Sequence, residues 1–151
     1  MNTKTILVVD DEISIRKMIT SLLELANYKV LEAENAKDAH SLVIDQMPDL
    51  IILDWMMPVT NGVELMRRLK RDELTQNIPI IMLTAKVLED NIVQGLGSGA
   101  DDYITKPFSP KTLIARIKTV IRRFEKELLE EKLQVHQLTF DPISHHVTIS
   151  G

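Results

Sequence analysis

The sequence predicts an α/β fold: a doubly wound, five-stranded parallel sheet with helices on both faces. Three observations predict it. Residues 5–9 (TILVV), 50–53 (LIIL) and 79–83 (PIIML) are short, nearly continuous apolar runs, as strands buried on both faces should be. Segments with apolar residues at helical spacing lie between the runs, so strand and helix alternate five times. Acidic, hydroxyl and basic residues follow the ends of the runs, and open α/β sheets gather their sites at the carboxyl ends of their strands.

Taken in order, strand one at 5–9 leads to a helix whose apolar face is Ile15, Met18, Ile19, Leu22 and Leu23. Strand two, KVLEA at 29–33, alternates more and suits a sheet edge. Asn35 can cap the second helix, with Ala36, Ala39 and Val43 inward. After strand three, Asn61 with Glu64 resembles a capping box ahead of Val63, Met66 and Leu69. Strand four precedes a helix lined by Leu88, Ile92 and Leu96, which stops at the glycines of GSGADD. DYIT at 102–105 is a short edge strand, and Ser109–Pro110 is an N-cap and first-turn pair. It opens a helix with Leu113, Ile114, Ile117, Val120, Ile121 and Phe124 inward. Three central apolar strands with strands two and five at the edges match the flavodoxin-like order 2-1-3-4-5. Met56, Met57, Met66 and Met82 read as core filler, and Gly62 and Gly99 as backbone punctuation.

The domain is expected to span 1–124. Residues 125–134 form a charged connector, which could equally prolong the last helix. Residues 135–151 read as strand, Asp141–Pro142 turn and strand. The 151 residues include 44% apolar and 26% charged side chains, as in a globular chain. The absence of cysteine excludes disulfides and thiolate metal sites. No run approaches the ~18 apolar residues of a membrane span, and the amino terminus lacks a signal-peptide core. A cytoplasmic location with no membrane partner is therefore expected. The formal charge of −4 argues against non-specific nucleic-acid binding.

Reading only the strand ends collects Asp10 and Asp11, Asp54, Thr84 and Lys106. Three carboxylates at one rim repel each other, and one lysine cannot offset them. Mg²⁺ can, since it suits a few oxygens with several retained waters. Asp11 and Asp54 would ligate directly, Asp10 would hold a ligand water, and the main-chain carbonyl near Met56 would complete the protein share. A carboxylate nucleophile can form an aspartyl phosphate. Lys106 would bind an equatorial phosphoryl oxygen and Thr84 Oγ another, so the expected catalytic set is Asp54, Lys106 and Thr84, with Asp54 the acceptor.

VVDDE, ILDWMMP, MLTAK and GADDYITKPF, in that order, resemble the receiver domain of two-component response regulators over roughly residues 4–124. Within that family the similarity is to the OmpR/PhoB subfamily of transcription regulators. The resemblance implies phosphorylation of Asp54 by a sensor histidine kinase and Mg²⁺ held by Asp10 and Asp11. It implies a Thr84–Tyr103 switch and a cis Lys106–Pro107 peptide, which a tertiary amide tolerates. On phosphorylation Tyr103 would turn inward as Thr84 moves, remodelling the surface of the helix over 88–96, strand five and the helix from 110. That surface is expected to form a homodimer. Asp101, Asp102, Arg116, Lys118 and Arg123 match its charged positions, and Leu96 with Ile114 its apolar centre. Ile92 and Thr112 stand where many relatives carry an Arg and a Glu, so one ion pair of the pattern is absent.

The tail DPISHHVTISG resembles the first strands of the subfamily's winged-helix domain. The helices that would enter the major groove are missing, so DNA and RNA polymerase would be engaged only through that missing effector domain. The expected protein is not a conventional enzyme; it would catalyse only its own phosphorylation and autodephosphorylation. A Mg²⁺-dependent aspartyl-phosphate phosphatase is the alternative, but such enzymes usually place a second acid where Met56 stands. A flavin or nucleotide carrier fits the fold but not the first loop, where Asp10–Asp11–Glu12 would repel a phosphate.

Overall fold

Apolar residues at every position of a strand need cover on both faces, and the chain supplies it. The computed structural model describes residues 3–57, 62–85 and 99–140. Strands β1 (Thr5–Val9), β2 (Lys29–Ala33), β3 (Leu50–Asp54), β4 (Ile80–Ala85) and β5 (Asp102–Lys106) form one parallel sheet in the order β2-β1-β3-β4-β5. The expected order, central strands and edges are all observed. Among the described residues four helices accompany the sheet: α1 (Ile13–Leu25), α2 (Ala36–Gln46), α3 (Gly62–Arg71) and α4 (Pro110–Phe140). The expected Asn61 cap and the helix over 88–96, with Ile92 and Leu96, lie outside the described residues.

Strand periodicity splits the core in two. Leu7, Val9, Ile51, Leu53, Ile80 and Met82 pack against Ala39 and Val43 of α2 and Val63, Met66 and Leu69 of α3. Ile6, Val8, Leu50, Ile52, Ile81 and Leu83 pack against Ile19 and Leu23 of α1 and Leu113, Ile117, Val120 and Ile121 of α4. Two helix starts are fixed as their sequences foretell. Asn35 Oδ1 accepts the Asp38 N–H at 2.8 Å, and Ser109 Oγ accepts the Thr112 N–H at 3.1 Å.

Three expectations change. The buried stripe of α1 is Arg16, Ile19, Thr20 and Leu23, with Met18 turned out. Met57, Met66 and Met82 are buried, but Met56 is 61% exposed. Finally, of the two readings left open for the connector, the structure takes the helical one and carries it further than expected. Helix α4 runs 31 residues through the charged connector to Phe140, so 135–140 are helical instead of a first strand. Residues 111–140 hold no Gly or Pro, and the connector is rich in Glu, Lys and Leu, which extend a helix already nucleated on the sheet. Residues 141–151 lie outside the described set.

Candidate functional site

The strand ends place the acids. Asp54 closes β3, its register partner on β4 being Leu83, and Trp55 N–H donates to Leu83 O at 2.9 Å. Asp10 follows β1, tied to the end of β2 by its N–H to Ala33 O at 3.1 Å. Lys106 closes β5 and reaches back across the sheet. Its Nζ lies 3.2 Å from Asp10 Oδ2 and 3.3 Å from Asp54 Oδ1. Oxygens of Asp10, Asp11 and Asp54 all fall within 4.8 Å of one another. Four residues separated by up to 96 positions thus meet at one rim.

Asp10 divides its oxygens. Oδ1 accepts the Glu12 N–H at 2.9 Å, and Oδ2 faces Lys106. One side chain therefore holds the turn that leads into α1 and faces the site at the same time. Asp10 and Asp54 are buried while Asp11 is exposed. Burial and then the Asp10 charge push the Asp54 carboxyl up from 3.8 to about 6, although Lys106 and the Met56 N–H pull it down. For Lys106, burial works against its charge, but Asp54 and Asp10 outweigh that and its pKa is raised. The ammonium is therefore present at neutral pH, and one ammonium leaves the trio under-compensated. Convergent hard oxygens with excess negative charge are a donor set that fits a hard divalent cation.

Thr84 is buried on β4, next to Asp54's partner Leu83, and pairs with Thr105. Tyr103 pairs with Met82 and packs against the same core layer. Its ring lies 6.1 Å from that of Trp55. The Tyr103 hydroxyl is buried with no hydrogen-bond partner among the described residues, and burial pushes its pKa up to about 12. The Lys106–Pro107 peptide is cis.

The residues expected at a dimer surface separate. Asp101, Asp102, Thr112, Arg116 and Arg123 line one groove beside β5. Ile114 and Lys118 lie instead by Leu22, Leu25 and Ala26 of α1. Asp101 is engaged inside the protomer, its Oδ2 accepting from Ile80 N–H at 2.8 Å and from Lys70 Nζ at 3.1 Å. Arg116 meets Asp102 at 2.8 Å.

Two contributors were not picked out by the sequence. Gly62 was read as punctuation, yet a Cβ there would run into the Asp54 carbonyl oxygen, and its N–H donates to Trp55 O at 3.0 Å. Arg16 is buried beneath the acids, and its Nη1 donates to Asp10 O at 2.7 Å. Only the three-dimensional approach reveals either one.

The model of the family "Response regulator receiver domain" matches residues 6–118. The chain is 62% identical over 148 residues to the phosphate regulon transcriptional regulatory protein PhoB of Pseudomonas aeruginosa, covering 98% of this chain and 65% of that protein. It is 42% identical over 157 residues to the transcriptional regulatory protein ResD of Bacillus subtilis, covering 99% of this chain and 64% of that protein. It thus spans just under two thirds of the length of these relatives. Among solved structures, the chemotaxis response regulator CheY4 of Vibrio cholerae matches with a TM-score of 0.75 at 33% identity, covering 79% of this chain and 99% of that one. No described helix is long and apolar enough to cross a membrane.

Proposed function

This chain belongs to the response regulator receiver domain family, with PhoB-type relatives, and on that premise we propose that Asp54 accepts a phosphoryl group from a phosphohistidine of a sensor histidine kinase. The observation that carries the reading is the bridging of Asp10 and Asp54 by a charged Lys106 at a buried rim. Among the described residues both donors to Asp54 fall on Oδ1: the Met56 N–H and Lys106 Nζ, each at 3.3 Å. Oδ2 is then the attacking oxygen. It forms the O–P bond as the P–N bond to the imidazole breaks, and the imidazole nitrogen keeps the electron pair and takes a proton. A carboxyl pKa of about 6 leaves Asp54 largely ionised at neutral pH and desolvated, as a nucleophile should be.

Asp10, Asp11, Asp54 and the Met56 carbonyl would hold Mg²⁺. When bound, the ion would neutralise part of the charge on the transferring group. Lys106 binds an equatorial oxygen, and Thr84 Oγ donates to another. Hydrolysis of the acyl phosphate by the same residues returns the protein to its resting state.

Thr84 and Tyr103 share one face of the sheet, two strand positions apart in register, which supports a switch between them. The expected inward turn of Tyr103 is corrected in one respect: its hydroxyl is already buried and its ring already lies by Trp55. Movement of Thr84 toward the phosphoryl group would therefore offer it a deeper position and not a first entry. The change would reach the groove at Asp101, Asp102, Arg116 and Arg123, where a second copy would dock. The placement of Ile114 and Lys118 on the α1 side makes that groove, and not the whole expected set, the supported contact. In a longer protein the dimer would control an effector domain that binds DNA and RNA polymerase.

Intact-mass measurement with acetyl phosphate and Mg²⁺ tests the reading. Wild type should gain one phosphoryl group, lost on removing Mg²⁺ or in Asp54→Ala. An unlabelled wild type, or equal labelling of Asp54→Ala, would overturn it. Sedimentation of the labelled protein tests the dimer, which fails if the label leaves the molecular mass in solution unchanged.

A further inference from the structure

Arg16 is a charged side chain buried outside the acidic cluster, on the inward stripe of α1 with Ile19, Thr20 and Leu23. Burying a guanidinium is unfavourable unless its donors are met by well-placed acceptors. The acceptors are specific. Nε donates to Glu32 Oε1 on β2 at 3.1 Å, and Nη1 donates to the main-chain oxygen of Asp10 at 2.7 Å. Glu32 is held in turn by Lys17 Nζ at 3.0 Å.

That Asp10 oxygen belongs to the peptide joining Asp10 to Asp11. The Asp10 N–H is already fixed to Ala33 O, so β2 holds one side of the residue and α1 the other. The plane of the Asp10–Asp11 peptide helps set the direction from which the Asp11 carboxylate enters the site. Asp11 is exposed, so no burial fixes its aim; the backbone that carries it does. We infer that Arg16 is a positioning residue for the cation site: its fork, braced by Glu32, sets the peptide that presents Asp11 beside Asp10 and Asp54. The inference rests on the metal-holding role proposed above for these acids.

A charge nearby would be supplied equally by lysine; a rigid fork spanning Glu32 and Asp10 O would not. The two explanations therefore separate by substitution. Trp55, the sole tryptophan, adjoins Asp54, so its emission should respond to Mg²⁺ occupancy with no phosphoryl donor present, with calorimetry as the independent readout. Mg²⁺ titrations of wild type, Arg16→Met, Arg16→Lys and Glu32→Gln should be paired with metal-free thermal unfolding of each. Losing an outer partner of metal ligands typically weakens affinity about 10- to 100-fold. The expected result is a Kd raised by about tenfold or more in both Arg16 variants, with Glu32→Gln weaker than wild type by a smaller factor. Arg16→Lys should recover the unfolding midpoint better than the affinity, which a purely structural role would not produce.

If Arg16→Met does not fold, the Lys and Gln variants decide. Folded variants that bind Mg²⁺ within about twofold of wild type would overturn the positioning role while leaving the cation site intact. A wild type that binds no Mg²⁺, by emission or calorimetry, would remove the cation site and with it this inference.

Discussion

Replacing Asp54 by Asn removes a charge that the fold holds at a cost. Asp54 is 4% exposed, and burial with the Asp10 charge carries its carboxyl from 3.8 up to about 6. An acid with a raised folded pKa binds its proton more tightly folded than unfolded. Its contribution to stability is fully present below about pH 4 and is lost as pH rises through about 6. A separation of about two in pKa corresponds to roughly 3 kcal/mol at neutral pH. Asn cannot ionise, so Asp54→Asn should be the more stable protein above pH 7 by up to about 3 kcal/mol. Lys106 loses one of its two carboxylate partners in the variant, which trims the gain. For a domain of this size the midpoint should rise by roughly 5–10 °C. Thermal unfolding of both proteins in EDTA from pH 4 to 8 measures it. The difference should be small at pH 4, open between pH 4 and 6, and stay flat above. Added Mg²⁺ should narrow it, because the ion stabilises the form that binds it better. A gap independent of pH, or a variant less stable than wild type at pH 7.5, would refute the electrostatic account.

Three further outcomes follow from the same geometry. Lys106→Met should raise the Asp54 pKa further, since both contributions of Lys106 lower it, and should slow labelling by acetyl phosphate by about tenfold or more; NMR titration of the carboxyl and intact mass read the two effects. Gly62→Ala drives a Cβ into the Asp54 carbonyl, and urea unfolding should show a loss of about 1–3 kcal/mol, with slower labelling because the end of β3 must shift. Tyr103→Phe removes a buried hydroxyl with no partner among the described residues, so the unlabelled protein should gain about 1 kcal/mol in urea unfolding.

The strands and helix starts were legible because their signals are local. Ile51 and Ile52 need cover whatever surrounds them, and Asn35 and Ser109 bond amides three residues away. The acidic cluster was legible one step further on, because the alternation of strand and helix brings the strand ends to one edge. Arg16 was not legible: helical periodicity assigns faces from apolar residues, and here the buried stripe includes an arginine whose acceptors are on β2 and the loop after β1. Gly62 was missed for a similar reason, since its constraint is the backbone of another element. That Ile114 shares a groove with Leu22, Leu25 and Ala26 was not legible either, because sequence matching does not say which side of a helix meets α1. The run of α4 past Phe124 was left between two readings, since helix-forming composition and a solvated linker share the same residues.

That run changes what the far end of α4 can feel. At about 1.5 Å per residue, the 31 residues of α4 make a rod roughly 46 Å long. Near its middle, Lys4 grips Glu125 at 3.5 Å, leaving about 22 Å projecting past this fulcrum. A tilt of about 10° there swings the tip by roughly 4 Å, a displacement that a slack tether of the same length would average away. A stiff mast turns small rotations at its footing into travel at its head.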